Sequence, residues 1–123
     1  MIVLRLNSDA SAPSIARTAV RDALAARSAE LRDIAVLLAN EIVTNALVHS
    51  PGDIELTVED STETIRIEVW DTSSSSPLVR SPNPRGERGR GMLIVEALAS
   101  SWGVVQRPMG KSVWFSLNVA QGA

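Results

Sequence analysis

Residues 54–59 alternate strictly, with Ile54, Leu56 and Val58 on one side and Glu55, Thr57 and Glu59 on the other. Residues 65–71 repeat the pattern, with Ile65, Ile67 and Val69 against Arg66, Glu68 and Trp70. Asp60 to Glu63 forms the turn between them. Two stretches of period two joined by a short polar turn predict an antiparallel hairpin with one apolar face. Such a face must be covered by a second layer.

The rest of the chain supplies that layer. Ser11 with Pro13 reads as a helix start, since proline is tolerated in the first turn. A helix is expected to run to about Arg27, with Ile15, Ala19, Val20, Ala23 and Leu24 as its apolar stripe. A second helix is expected from about Ala29 to Ser50, where Pro51-Gly52 stops it. Its apolar positions include Leu31, Ile34, Leu38, Ile42 and Leu47. A third is expected from about Gly91 to Ser101. Strands are expected at 2–6, 102–107 and 111–119. Residues 72–90, rich in Ser, Pro, Gly and Arg, read as a long loop of the kind that is functional or disordered. The order β-α-α-β-β-loop-α-β-β predicts an α/β two-layer sandwich, with three helices on one face of a mixed, mostly antiparallel sheet.

The 123 residues suit a single domain over 1–123. No apolar run approaches membrane-span length and no signal peptide is evident, so a cytoplasmic protein is expected. The absence of cysteine and the single histidine exclude disulfides and multi-His metal sites within one chain. The overall charge of −2 argues against nucleic-acid binding. Charge is nevertheless uneven. Arg80, Arg85, Arg88 and Arg90 against Glu87 give the loop +3, so the remainder carries −5. That contrast fits either an anionic ligand or a solvated loop.

Three groups of residues carry chemistry. Glu41, Asn45 and His49 recur every four residues and stack on one helix face. A carboxylate one turn from an amide can serve as a base beside a Mg²⁺ ligand, or can simply face water. His49 alone reads as a helix-end residue near the last carbonyls. Asp71 shares the inward parity of Ile65, Ile67 and Val69. It is either a turn cap at a frayed strand end or a buried acceptor awaiting a ligand's N–H. Gly86-Glu-Arg-Gly89-Arg-Gly91 leads toward a helix, where exposed backbone N–H groups favour phosphate. It lacks the Lys-Ser/Thr of a Walker A loop and the feeding strand of a dinucleotide fingerprint.

Taken in order, NEIVTNALVHS, IEVWDTSSSSP, GERGRGMLIVEALASSWGV and GKSVWFSL resemble the N box, the two glycine boxes and the last strand of the GHKL ATP-binding domain, the Bergerat fold. Within that superfamily the chain most resembles the bacterial anti-sigma-factor serine/threonine kinases. The resemblance implies ATP and Mg²⁺ as cofactors. Glu41 matches the general base, Asn45 the Mg²⁺ ligand and Asp71 the acceptor for the adenine amino group. It further implies nucleotide contacts at His49, Gly86, Arg88, Gly89, Gly91, Met92 and Ser112, with Gly86 as a hinge of the ATP lid and Ser112 replacing a threonine near adenine. Ser73 departs from the family's usual glycine. The implied partners are a sigma factor and an anti-anti-sigma antagonist, with a homodimer possible. An ATP-gated binding module without kinase activity is the alternative.

Overall fold

The computed structural model describes residues 1–49, 52–72 and 87–119, the side chains of 49 and 87–92 excepted. Five strands, β1 (Ile2–Leu6), β2 (Ile54–Asp60), β3 (Thr64–Asp71), β4 (Ser101–Arg107) and β5 (Gly110–Asn118), form one sheet in the order β1-β2-β3-β5-β4. Every pairing is antiparallel, so the expected mixed character is absent among the described strands. Among the described residues three helices, α1 (Ala12–Ala23), α2 (Ala29–His49) and α3 (Glu87–Leu98), form the second layer.

The hairpin forms as its alternation requires. Leu56 faces Val69, and Val58 faces Ile67. The same rows continue across β5, where Val69 meets Val113, Ile67 meets Phe115 and Ile65 meets Leu117. All of these side chains are buried, so rows of apolar pairs run across the three strands. A slip of one residue would turn the whole row to water, which fixes the register. Against this face α2 lays Ala35, Leu38, Ala39, Ile42, Val43 and Ala46, all buried.

Strand ends lie within one residue of the sequence expectation, and larger differences fall in α1 and α3. α1 stops at Ala23 rather than Arg27, and a turn follows in which Arg27 N–H donates to the Leu24 carbonyl at 2.9 Å. Arg27 is drawn to the hairpin turn instead, where its guanidinium donates to Asp60 Oδ1 at 2.6 and 3.0 Å. The buried stripe of α1 is Ala12, Ala16 and Val20, continued by Leu24, while Ile15 is 46% exposed. Small residues at the contact let α1 approach α2 closely, which the larger Ile15 would prevent. α3 begins at Glu87 and ends at Leu98. Its C-terminal extension is cut off because Ser100 N–H donates to the Ser116 carbonyl at 2.8 Å, and Ser101 joins β4.

The sheet's other face carries Glu68, Trp70, Ser112 and Trp114, and none of the described helices packs over them. Arg107 and Arg66 both pair with Glu68, at 2.8 and 2.6 Å, and the Arg66 guanidinium lies 4.8 Å from the Trp114 ring centre. Both Trp70 and Trp114 thus lie on this outer face, and an Arg–aromatic stack half-buries Trp114. Trp102 of β4 is paired with Phe115 of β5 and borders the core. No described helix is long and apolar enough to cross a membrane.

Candidate functional site

Strand ends and a helix end converge at one edge of the fold. The C-terminal end of α2 leads through residues 50–53 into the start of β2. There Glu55 pairs with Trp70, next to the end of β3. A β-carbon on Gly52 would stand 3.2 Å from Thr72 Oγ1, so the segment after α2 touches the segment after Asp71. The start of β5 arrives at the same place, since Lys111 pairs with Asp71. α2 also packs on β3 and β5 directly, and α3 packs on α2.

The α2 column is intact because the helix is continuous from Ala29 to His49. Asn45 is buried, 7% exposed, and sits one turn before His49. Glu41 stands a further turn back, about 6 Å along the axis, and is half-buried. Among the described residues no hydrogen bond or ion pair engages the Glu41 carboxylate. A carboxylate without an internal partner is open to take a proton from a bound group.

Asp71 is buried at 1% exposure, so the inward parity expected for it is observed. Its carboxylate is engaged, however. Lys111 Nζ donates to Oδ2 at 3.0 Å and to Oδ1 at 3.2 Å, with the lysine side chain 3% exposed. Sequence reasoning passed over Lys111, although two signals point to it. It has the inward parity of Val113, Phe115 and Leu117, and it is the only lysine beside eleven arginines. A buried cation survives only when paired, so the inward Lys111 and the inward Asp71 require each other.

Ser112 is not brought to this site. It lies one residue on from Lys111, hence on the opposite face of the sheet, beside Trp70 and Glu68. Its hydroxyl accepts from Arg107 Nε at 3.1 Å. The period of two therefore gives the place expected for Ser112 to Lys111. Burial raises the Glu68 carboxyl, but hydrogen bonds from Arg66, Ser112 and Arg107 outweigh it and hold the group below its ordinary 4.5.

The glycine-rich segment is helical earlier than expected. With α3 starting at Glu87, Gly89 lies in the first turn, whose N–H groups lack intrahelical acceptors, and Gly91 lies beyond it. Only the backbone of Arg88, Gly89, Gly91 and Met92 is described, and likewise of His49. Gly86 and Ser73 lie outside the described residues.

The donor set fits a magnesium nucleotide. Asp71 brings a buried carboxylate to this edge of the fold, and Asn45 brings a buried amide. Mg²⁺ takes few protein ligands when phosphates and water supply the rest. No cluster of three His, Cys, Asp or Glu residues suited to a metal held by protein alone occurs among the described residues.

Comparison with known proteins agrees. The family model described as the histidine kinase-like ATPase domain matches residues 6–117. A histidine kinase domain from the Erythrobacter litoralis EL346 blue-light activated histidine kinase is similar at a TM-score of 0.60 and 22% identity. That match covers 90% of this chain and 61% of that one, so the chain spans less than two thirds of its length. The catalytic domain of histidine kinase ThkA is similar at 0.56 and 16% identity, over 96% of this chain and 97% of the other. Acinetobacter baumannii histidine kinase AdeS gives 0.55 at 8% identity, over 96% and 68%. No curated protein sequence matches. Identities this low speak for the fold alone, whereas the family model spans nearly the whole chain. The chain belongs to the histidine kinase-like ATPase domain family, within the GHKL superfamily.

Proposed function

We propose that this domain is an ATP-dependent serine/threonine protein kinase of the anti-sigma-factor kind, acting in the cytoplasm by partner switching. The observation that carries the reading is the α2 face. Glu41 has no internal partner among the described residues and sits one turn from the buried Asn45 amide, on a helix that packs on β3 and whose following segment reaches Thr72.

In this reading Asp71 accepts the adenine amino group and Asn45 holds Mg²⁺, which neutralises phosphate charge when bound. Glu41 accepts the proton of a seryl or threonyl hydroxyl as that oxygen bonds to the γ-phosphorus. The bond to the β,γ-bridging oxygen breaks, and ADP leaves. The phosphorylated protein is an anti-anti-sigma antagonist, and a sigma factor is the other partner. A homodimer of this domain is compatible with both.

The test is transfer of labelled phosphate from Mg-ATP to candidate antagonist proteins. Acid-stable label on a serine or threonine supports the reading, and acid-labile label on a histidine overturns it. Glu41→Ala is expected to abolish transfer while nucleotide affinity stays within about threefold. Transfer by that variant at the wild-type rate would remove Glu41 from its role. A second reading, an ATP-gated binding module without transfer, draws on the engagement of the Asp71 carboxylate by Lys111. ATP binding without label on any antagonist would favour it.

A further inference from the structure

We propose that Lys111 reads the nucleobase, its ammonium donating to N1 of adenine while Asp71 accepts from the neighbouring exocyclic amino group. The proposal rests on the ATP-binding reading above and adds a residue that decides which base is accepted.

Lys111 is the chain's only lysine, and the only buried cation among the described residues. Its Nζ stands 3.0 and 3.2 Å from the two Asp71 oxygens. An ammonium has three N–H donors, and no partner other than Asp71 engages it among the described residues. A buried donor left without an acceptor is penalised by about 1–3 kcal/mol, so the site favours a ligand that brings one. The carboxylate has about four lone-pair positions, and the lysine engages one on each oxygen.

The pair thus offers an acceptor and a donor side by side at the end of β3. Adenine offers the complementary order along one edge, an amino donor at C6 next to the N1 acceptor. Guanine in the same position would set O6 against the carboxylate and N1–H against the ammonium, with both contacts reversed. Arginine could not substitute, since its planar fork spreads its donors where a compact ammonium presents them at one point.

The test uses ATP and its 1-deaza analogue, in which N1 is replaced by C–H and the amino group is kept. Calorimetric titration of the wild type is expected to show binding of the analogue weaker by roughly tenfold or more. In Lys111→Met the two ligands are expected to bind within about threefold of each other. Lys111→Gln, which keeps a neutral donor, is expected to restore part of the discrimination. A lysine that merely keeps Asp71 ionised would weaken both ligands equally, so discrimination persisting in Lys111→Met overturns the proposal. Equal affinity of the wild type for both ligands also overturns it. Should Lys111→Met not fold, the wild type still decides. With one lysine in the chain, its ¹⁵Nζ resonance is identified by uniqueness. It is expected to shift with ATP and not with the analogue, and the same shift with both sinks the idea. Failure of the folded wild type to bind ATP at all would instead remove the nucleotide reading beneath it.

Discussion

A β-carbon on Gly110 would stand 1.9 Å from the carbonyl oxygen of Asp71. Gly110 also has a φ of +127°, a region that side-chain-bearing residues rarely adopt. The first residue of β5 is therefore a glycine for two reasons, backbone conformation and the closeness of β3. Gly110→Ala is expected to lower stability by roughly 3 kcal/mol in urea denaturation, combining strain and displacement of Asp71. Its ATP affinity is expected to fall as well, because the displaced strand end carries Asp71, the acceptor proposed for the adenine amino group. Unchanged stability would mean that the two strands separate more readily than their pairing implies.

Asp71→Asn should separate stability from recognition. Asn keeps the shape but leaves Lys111 a buried, unneutralised cation, a change that costs about 3–5 kcal/mol when one partner of a buried pair is removed. The amide also offers N–H where the adenine amino group needs an acceptor, so ATP affinity is expected to drop at least about tenfold. Combining Asp71→Asn with Lys111→Met removes the orphaned charge. The double variant is expected to recover most of the stability and none of the ATP affinity. Recovery of binding would show that Asp71 serves only as the partner of Lys111.

Asn45→Ala is expected to raise the Mg²⁺ concentration needed for ATP binding by roughly tenfold, with little change for nucleotide measured without the ion. Magnesium titration at fixed ATP, followed by calorimetry, reads this directly. An identical Mg²⁺ dependence would place the ion elsewhere.

Glu68 predicts a pH signature remote from the nucleotide site. Its carboxyl is held below its ordinary 4.5, because the bonds from Arg66, Ser112 and Arg107 outweigh the burial that would raise it. A depressed folded-state value means that the stabilisation is present above 4.5 and lost as pH falls through the lower folded value. The stability difference between wild type and Glu68→Gln is therefore expected to be largest at neutral pH and to shrink below pH 4.5. Urea denaturation across that range tests it, and a constant difference would mean that the arginines do not favour the ionised form.

Local pattern sufficed for much of this molecule. The alternation of 54–59 and 65–71 dictated the hairpin and its register, since period two admits one solution once a face is buried. The Glu41, Asn45, His49 column followed from helical period alone, and the inward parity of Asp71 was legible in the same way. Helix ends were less so. Arg27 leaves α1 for Asp60, a residue thirty-three positions away, and Ser100 leaves α3 for Ser116. Those competitors are invisible to any window along the chain.

The site itself shows the same division. Ser112 has the chemistry of a base contact, and its sequence neighbourhood suggested that role, but strand parity turns it to the opposite face beside Glu68 and Trp70. Lys111 takes the inward position, where its charge would be intolerable without Asp71. The sequence by itself determined the elements, the apolar faces and the acid–amide column, because these depend on backbone period. Only the tertiary structure decided that β3 and β5 lie side by side with Asp71 opposite Lys111. A buried charge is stabilised by a partner in space, and forty residues of chain separate these two.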